Sequence, residues 1–223
     1  MNDKKIKINM LDINVAHASS FSEANLRCGG GIPRFPEKVE YVWGETDWDG
    51  ISIFTDKRLS LVDKVKSKLK VAWLMEPRAY DREAYELITR LEDKFDLILT
   101  HDVSLLDRKT GNYRYLPADT NIIEDASIKI HDKSKMTSFI YSNKTDLPGH
   151  KVRFVVANFL NAGNYDIESY GRGIRPIDRK ADALKDYRFS IAIENSSADN
   201  YFTDKILDCF VTGVVPVYWG CPN

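Results

Sequence analysis

The sequence predicts an α/β fold made of two domains that each contain a parallel sheet. Short apolar runs of strand character alternate with helical stretches along the chain, and this alternation occurs twice. A polar stretch at residues 119–135, with few apolar anchors, separates the two series. Because a strand–helix–strand order favours parallel strands, we predict an N-terminal domain at residues 1–135, a second domain at residues 136–223 and a cleft between their two sheets.

The first series opens with alternating apolar and polar residues, which is typical of a strand with one buried face. A helix is predicted over residues 81–95, because Tyr85, Ile88 and Leu91 recur at helical spacing among charged residues. The predicted strands cover residues 6–10, 39–43, 51–55, 70–75, 96–100 and 114–117.

The second series repeats the alternation with three helices. The last of them, residues 201–212, ends before Gly213, and Asp199 or Asn200 is its expected N-cap. The other predicted helices cover residues 151–160 and 179–185. The predicted strands cover residues 138–142, 165–169, 188–193 and 214–219.

The composition excludes several classes of protein. The 32 basic and 33 acidic residues give a net charge of -1, which lacks the positive excess that general nucleic-acid binders use. No stretch approaches the ~20 apolar residues of a membrane-spanning helix, and the first residues do not form a signal peptide. We therefore expect a cytoplasmic protein with three reduced cysteines. Peripheral attachment to the inner face of a membrane is the alternative location.

Two acidic residues follow predicted buried strands, where ligands of open α/β sheets collect. Glu76 ends the apolar run at residues 71–75, and Glu194 ends the strand at residues 188–193. Burial raises the pKa of a carboxyl group in such a cleft, which suits a general base. The alternative is that these residues simply begin solvated loops.

Cations near helix starts predict an anion site in the second domain. Lys205 lies in the first turns of the predicted helix 201–212, where it opposes the helix dipole but adds to the free backbone N–H groups that bind diphosphates. Arg153 lies near the start of helix 151–160 and offers bidentate phosphate recognition. Asp204 complements the positive helix end. The alternative for both cations is an exposed surface position.

One possible metal motif receives less weight. Asp47-Trp48-Asp49 has the spacing by which many sugar-nucleotide enzymes hold a divalent ion. Gly44 and Gly50 flank it, however, so a solvated turn is the favoured interpretation.

Three ordered motifs lie close together near the end of the sequence. They read YRFSIAIENS at residues 187–196, YFTDKILD at 201–208 and GVVPVYWGCP at 213–222. In this order and spacing they resemble the α1,3/α1,4-fucosyltransferases of glycosyltransferase family ten. Weaker similarities occur in WLMEPR at 73–78, FIYSN at 139–143 and SYGRG at 169–173.

The resemblance implies two Rossmann-like domains in the GT-B arrangement, with the second domain incomplete at its C-terminal end. It also implies transfer of L-fucose from GDP-fucose to an acceptor glycan with inversion, on a polysaccharide or a protein, without a required metal or other cofactor. Position by position, it implies that Glu76 is the catalytic base and that Arg153 and Lys205 bind the diphosphate. It assigns Tyr201, Asn195 and Glu194 to the donor site. Asp204 stands where the family usually has Glu and holds donor hydroxyls.

Two alternatives to a fucosyltransferase follow from the same residues. The shorter Asp204 side chain allows a transferase that uses another GDP-sugar. The early end of the last domain allows an inactive homologue that acts at most as a sugar-nucleotide-binding or glycan-binding module.

Overall fold

The chain forms two compact units in a computed structural model that describes residues 5–12, 38–163 and 165–223. Within these ranges the first unit ends at Ala118 and the second begins at Asp119. The boundary therefore lies before the polar stretch 119–135, rather than at its end as the sequence suggested. The reason is that Ile123 is 1% exposed and packs with Leu184 and Cys209 in the core of the second unit.

The first unit contains a six-stranded sheet in which all strand pairs are parallel. Its strands are β1 (Ile6–Leu11), β2 (Val39–Trp43), β3 (Asp47–Thr55), β4 (Lys66–Trp73), β5 (Leu97–Thr100) and β6 (Tyr113–Tyr115), in the order β2-β1-β3-β4-β5-β6. The described helices of this unit are α1 (Arg82–Leu91) and the short α2 (Val103–Leu106). The strand order reverses between β1 and β3, and such a switch point is where parallel sheets bind ligands.

The core of the first unit forms where α1 covers the sheet. Tyr85 and Ile88 of α1 are completely buried against Phe54 of β3 and Ile98 of β5. Asp81 caps the helix by accepting a hydrogen bond from the backbone amide of Ala84 at 3.2 Å. The helix is followed by a 3₁₀ turn, Glu92–Lys94, so the predicted helix over residues 81–95 is confirmed with its last turn tightened.

The second unit contains a four-stranded parallel sheet in the order β10-β9-β7-β8. The strands are β7 (Lys135–Ile140), β8 (Ile167–Tyr170), β9 (Tyr187–Ile193) and β10 (Val215–Trp219), and the helices are α3 (Pro148–Ala162) and α4 (Asp204–Val211). Neighbouring β9 residues point to opposite faces: Ile193 packs with α3 residues, and Ala192 packs with Cys209 of α4. The α/β fold with parallel sheets is thus confirmed.

Two predicted elements of the second unit differ from the structure. The last helix starts at Asp204 rather than near residue 201, and its N-cap is Thr203 rather than Asp199 or Asn200. The predicted helix 179–185 is only a 3₁₀ turn, Lys180–Ala183. The start of α4 is shifted because the Thr203 side chain accepts a hydrogen bond from the Lys205 amide, while Asn200 adopts a φ of 62°.

The predicted turn at Asp47-Trp48-Asp49 is instead the exposed start of β3. Asp47 and Asp49 form exposed ion pairs with Lys66 and Lys68 of the neighbouring strand, at 3.5 Å and 2.9 Å. In the described ranges no group of three or more His, Cys, Asp or Glu side chains is arranged to hold a metal ion. Among the same residues, no helix is long and apolar enough to cross a membrane.

Candidate functional site

Arg153 lies at the switch point of the second sheet, where β7 and β9 are neighbours. It projects from α3, is 5% exposed, and donates to the backbone carbonyl of Ile193 through Nε at 3.1 Å and Nη2 at 2.6 Å. Nη2 also donates to Asn195 Oδ1 at 2.9 Å. Burial lowers the pKa of Arg153, although Glu194 and Asp204 oppose this shift. The guanidinium is therefore fixed at the carboxyl end of β9 together with Asn195.

Glu194 follows β9 directly, and its side chain is completely buried. Thr203 donates to it twice, from its backbone amide to Oε1 at 2.9 Å and from its hydroxyl to Oε2 at 2.7 Å. The Tyr218 hydroxyl of β10 donates to Oε1 at 3.4 Å. Both carboxylate oxygens are thus used by protein groups, and Glu194 joins β9, β10 and the N-cap of α4.

Lys205 is the second residue of α4, closer to the helix start than the sequence suggested. Its ammonium lies 3.3 Å from Glu194 Oε2 and 3.5 Å from Asp204 Oδ1, and donates to the Thr203 hydroxyl at 2.9 Å. Glu194, Thr203 and Asp204 therefore hold the Lys205 ammonium at the start of α4.

Lys180 lies beside these residues, although no sequence pattern singles it out, because it stands in a charged stretch. Its ammonium contacts the carboxylates of Asp204 and Asp208, the latter at 2.6 Å. Burial raises the pKa of Asp204, but the charges of Lys180 and Lys205 outweigh burial and lower it overall. Only the packing of the Lys180–Ala183 turn reveals this contact.

Asp119 lies close enough to respond to the same charges: burial and the charge of Asp204 raise its pKa to about 7.

Tyr201, the remaining residue predicted for this site, is 2% exposed. It follows Asn200, whose left-handed φ an Asn tolerates better than most residues. Tyr201 and Arg153 are close enough to interact electrostatically. The structure therefore brings Arg153, Glu194, Asn195, Tyr201, Asp204 and Lys205 together in the second unit.

Glu76 lies in the first unit, three residues beyond the end of β4, and is partly exposed. Its backbone amide donates to Asp56 Oδ1 at 3.3 Å, and its carbonyl oxygen accepts from the Tyr85 hydroxyl at 2.8 Å. The loop that carries the predicted base is thus held by buried groups from the end of β3 and from α1.

Polar residues follow each of the neighbouring strands at this edge of the first sheet. Asp12 follows β1 and accepts a hydrogen bond from the Thr55 hydroxyl at the end of β3. His101 follows β5, and burial lowers its pKa to about 4. Asp102 pairs with Arg78 at 3.0 Å.

Comparisons with known proteins agree with these features. Residues 130–223 match the family described as glycosyltransferase family 10 (fucosyltransferase), C-terminal part. A fucosyltransferase-like protein of Arabidopsis thaliana is 46% identical over 132 residues, which cover 58% of this chain and 24% of the relative. An α-(1,3)-fucosyltransferase of Helicobacter pylori is 34% identical over 47 residues, which cover 21% of this chain and 10% of the relative. The chain thus spans a quarter or less of these relatives.

A solved structure of an α1,3-fucosyltransferase shares the fold. It superposes with a TM-score of 0.50 at 14% identity, over 98% of this chain and 68% of the other. This likeness shows the parallel α/β fold. The match of residues 130–223 to the family 10 description agrees with the resemblance found in the motifs.

Proposed function

We propose that the protein is an inverting glycosyltransferase that moves L-fucose from GDP-fucose to a hydroxyl group of an acceptor glycan. The observation that carries the proposal is the cluster of Arg153, Asn195 and Lys205 at the carboxyl end of β9, within the region that matches the family. The Nη1 atom of Arg153 makes no hydrogen bond to the described residues and is available to a phosphate oxygen.

In this mechanism the oxygen of the acceptor hydroxyl bonds to the anomeric carbon of fucose, and Glu76 accepts the proton of that hydroxyl. The bond from that carbon to the β-phosphate oxygen breaks, and its electron pair leaves with GDP. Attack and departure on opposite faces invert the anomeric centre. Arg153, Lys205 and the amides at the start of α4 stabilise the charge that develops on GDP. We expect turnover to persist in a metal chelator, because these cations supply the positive charge.

Replacing the predicted base provides the main test. Glu76→Gln should lower the rate of acceptor-dependent GDP release about 10²–10⁴-fold, the usual contribution of a general base. The Kd for GDP, measured by calorimetry, should not change, since the cations that bind it lie in the other unit. Glu83→Gln, at an exposed position of α1, is the matched control. Normal transfer by Glu76→Gln would show that another group is the base.

Another GDP-sugar as donor is the second candidate, and the surroundings of Asp204 favour it. Asp204 replaces the Glu of the family pattern, and Lys180 contacts its carboxylate. A panel of GDP-sugars, scored by GDP release, separates the two donors. A wild-type chain that binds GDP but releases none from any of them would be a binding module.

The expected cytoplasmic location stays a prediction. Fractionation of cells that express the chain, with a probe of residues 119–223, tests it against peripheral membrane attachment.

A further inference from the structure

Asp56 connects the end of β3 with the loop that carries Glu76. Its Oδ1 atom accepts hydrogen bonds from the backbone amides of Met75, at 3.0 Å, and Glu76, at 3.3 Å. One carboxyl oxygen thus holds two successive amides, and the placement of the Glu76 backbone depends on it. No motif in the sequence marks this residue.

The backbone at Asp56 is strained. Its φ is 34°, a positive value outside the regions that residues with a side chain usually occupy, and the residue is only 8% exposed. Such a conformation persists where surrounding contacts determine it, and it is common at functional sites. The contacts that determine it here include the two hydrogen bonds to the Glu76 loop.

The titratable groups that face Asp56 are Glu76, Asp81 and the Tyr85 hydroxyl. Burial and the charges of Glu76 and Asp81 raise the pKa of Asp56 to about 8, although the two amides oppose the shift. At pH 7 Asp56 is therefore mostly neutral. It keeps a carbonyl oxygen for both amides and adds little negative charge beside Glu76.

We propose that Asp56 is a positioning residue for the base, because it anchors the backbone of Met75 and Glu76 and so fixes the Glu76 carboxylate for proton transfer. This inference rests on the proposed function. It requires that an uncharged acceptor oxygen at residue 56 is sufficient to hold the two amides. It also requires that the loss of this oxygen lowers kcat only by displacing Glu76.

The test compares Asp56→Asn, which keeps an acceptor oxygen, with Asp56→Ala, which removes it. Asp56→Ala should lower kcat about tenfold or more, the usual effect of misplacing a catalytic group, and leave KM for GDP-fucose unchanged. Asp56→Asn should retain most of kcat and lose any step in kcat near pH 8. In the Glu76→Gln background, Asp56→Ala should lower kcat no further, because the two changes remove the same contribution.

A kcat of Asp56→Ala equal to that of the wild type would overturn the inference. Equal losses from the Asn and Ala variants would also overturn it, as would additive losses with Glu76→Gln. Hydrogen exchange at the Met75 and Glu76 amides gives a readout without turnover: it should be faster in Asp56→Ala and unchanged in Asp56→Asn. If the wild-type chain releases no GDP, the proposed function fails, and unchanged exchange in Asp56→Ala would separately disprove the anchor.

Discussion

At the scale of single residues, Arg153 combines an observed structural task with the proposed task of binding a phosphate. Two of its nitrogen atoms are used by the Ile193 carbonyl and one of these also by Asn195, so the planar guanidinium is oriented before any ligand arrives. Lysine offers one ammonium group and cannot reproduce this fork while also contacting a phosphate. The two tasks together therefore require arginine at this position.

We expect Arg153→Lys to weaken GDP binding about tenfold, since a single ammonium group cannot keep the contacts to Ile193 and Asn195 and reach a phosphate as well. Isothermal titration of GDP into the purified chain measures the change in Kd. Arg188→Lys, at an exposed position of β9, is the matched control and should bind as the wild type does. An unchanged Kd in a folded Arg153→Lys variant would remove Arg153 from the binding site.

Asp204 shows that a substitution within a family pattern has to be judged with its neighbours. The sequence predicts contact with donor hydroxyls, whereas in the structure the carboxylate pairs with Lys180 and Lys205. Lys180 also contacts Asp208, whose Oδ1 accepts from the Ile122 amide at 2.8 Å. A contact between Asp204 and a donor hydroxyl thus stays a prediction, and it would have to coexist with these ion pairs.

At the scale of elements, the start of α3 is pressed against the loop that follows β9. The amide of Gly149 donates to the Asn195 carbonyl at 2.9 Å, and a Cβ atom added at residue 149 would lie 1.8 Å from the Glu194 carbonyl oxygen. The backbone of Glu194, which follows β9 directly, cannot move away as a side chain would. Glycine at this position therefore sets the distance between Arg153 on α3 and its partners at the end of β9.

Gly149→Ala should lower the free energy of unfolding by about 1–3 kcal/mol, as overpacking usually does, and weaken GDP binding as well. Urea denaturation and titration with GDP measure the two effects. Gly163→Ala is the matched control at the other end of α3, because its Cβ would meet the exposed ring of Tyr165, which can rotate. Equal stability of the two variants would contradict the close approach.

At the scale of the whole molecule, ionisable groups in both units make the stability depend on pH. Arg108 lowers the pKa of Glu92 to about 2 in the first unit, and Lys135 with Arg175 lowers that of Glu168 to about 2 in the second. Each carboxylate binds a proton more readily in the unfolded chain than in the native protein. His101, with its pKa near 4, also takes up its proton earlier when unfolded.

The two lowered carboxyl pKa values should make the free energy of unfolding fall as the pH drops below 4.5. His101 lowers it between pH 6.5 and 4, whereas Asp56 and Asp119, whose pKa values are raised, act in the opposite direction between pH 8 and 4. Urea denaturation at a series of pH values, followed by circular dichroism, measures this dependence. His101→Gln should remove the contribution of His101 between pH 6.5 and 4, and His131→Gln, at a partly exposed position of the second unit, is the matched control. A wild-type stability that does not change between pH 4.5 and 2 would contradict the lowered pKa values of the two glutamates.

The sequence predicted most strands because their apolar runs and alternation are local properties. Motif spacing likewise singled out Arg153, Asn195 and Lys205, which the structure brings together, and their binding role stays a prediction. The local pattern did not predict the correct start of α4, because the Thr203 cap and its contact with Glu194 decide which residue begins the helix. It also failed at the domain boundary, because the buried side chain of Ile123 joins a polar stretch to the second core.

By itself, then, the sequence determined the α/β class and the resemblance of the C-terminal region to a known family, since both are recorded in local order and spacing. Only the tertiary structure decided which groups form ion pairs and hydrogen bonds with one another. Asp56 contacts the Glu76 amide across 20 positions of the chain, and Lys180 contacts Asp204 across 24. Such contacts depend on strand order and register, which bring distant residues to one edge of a sheet and leave no periodic trace in the sequence.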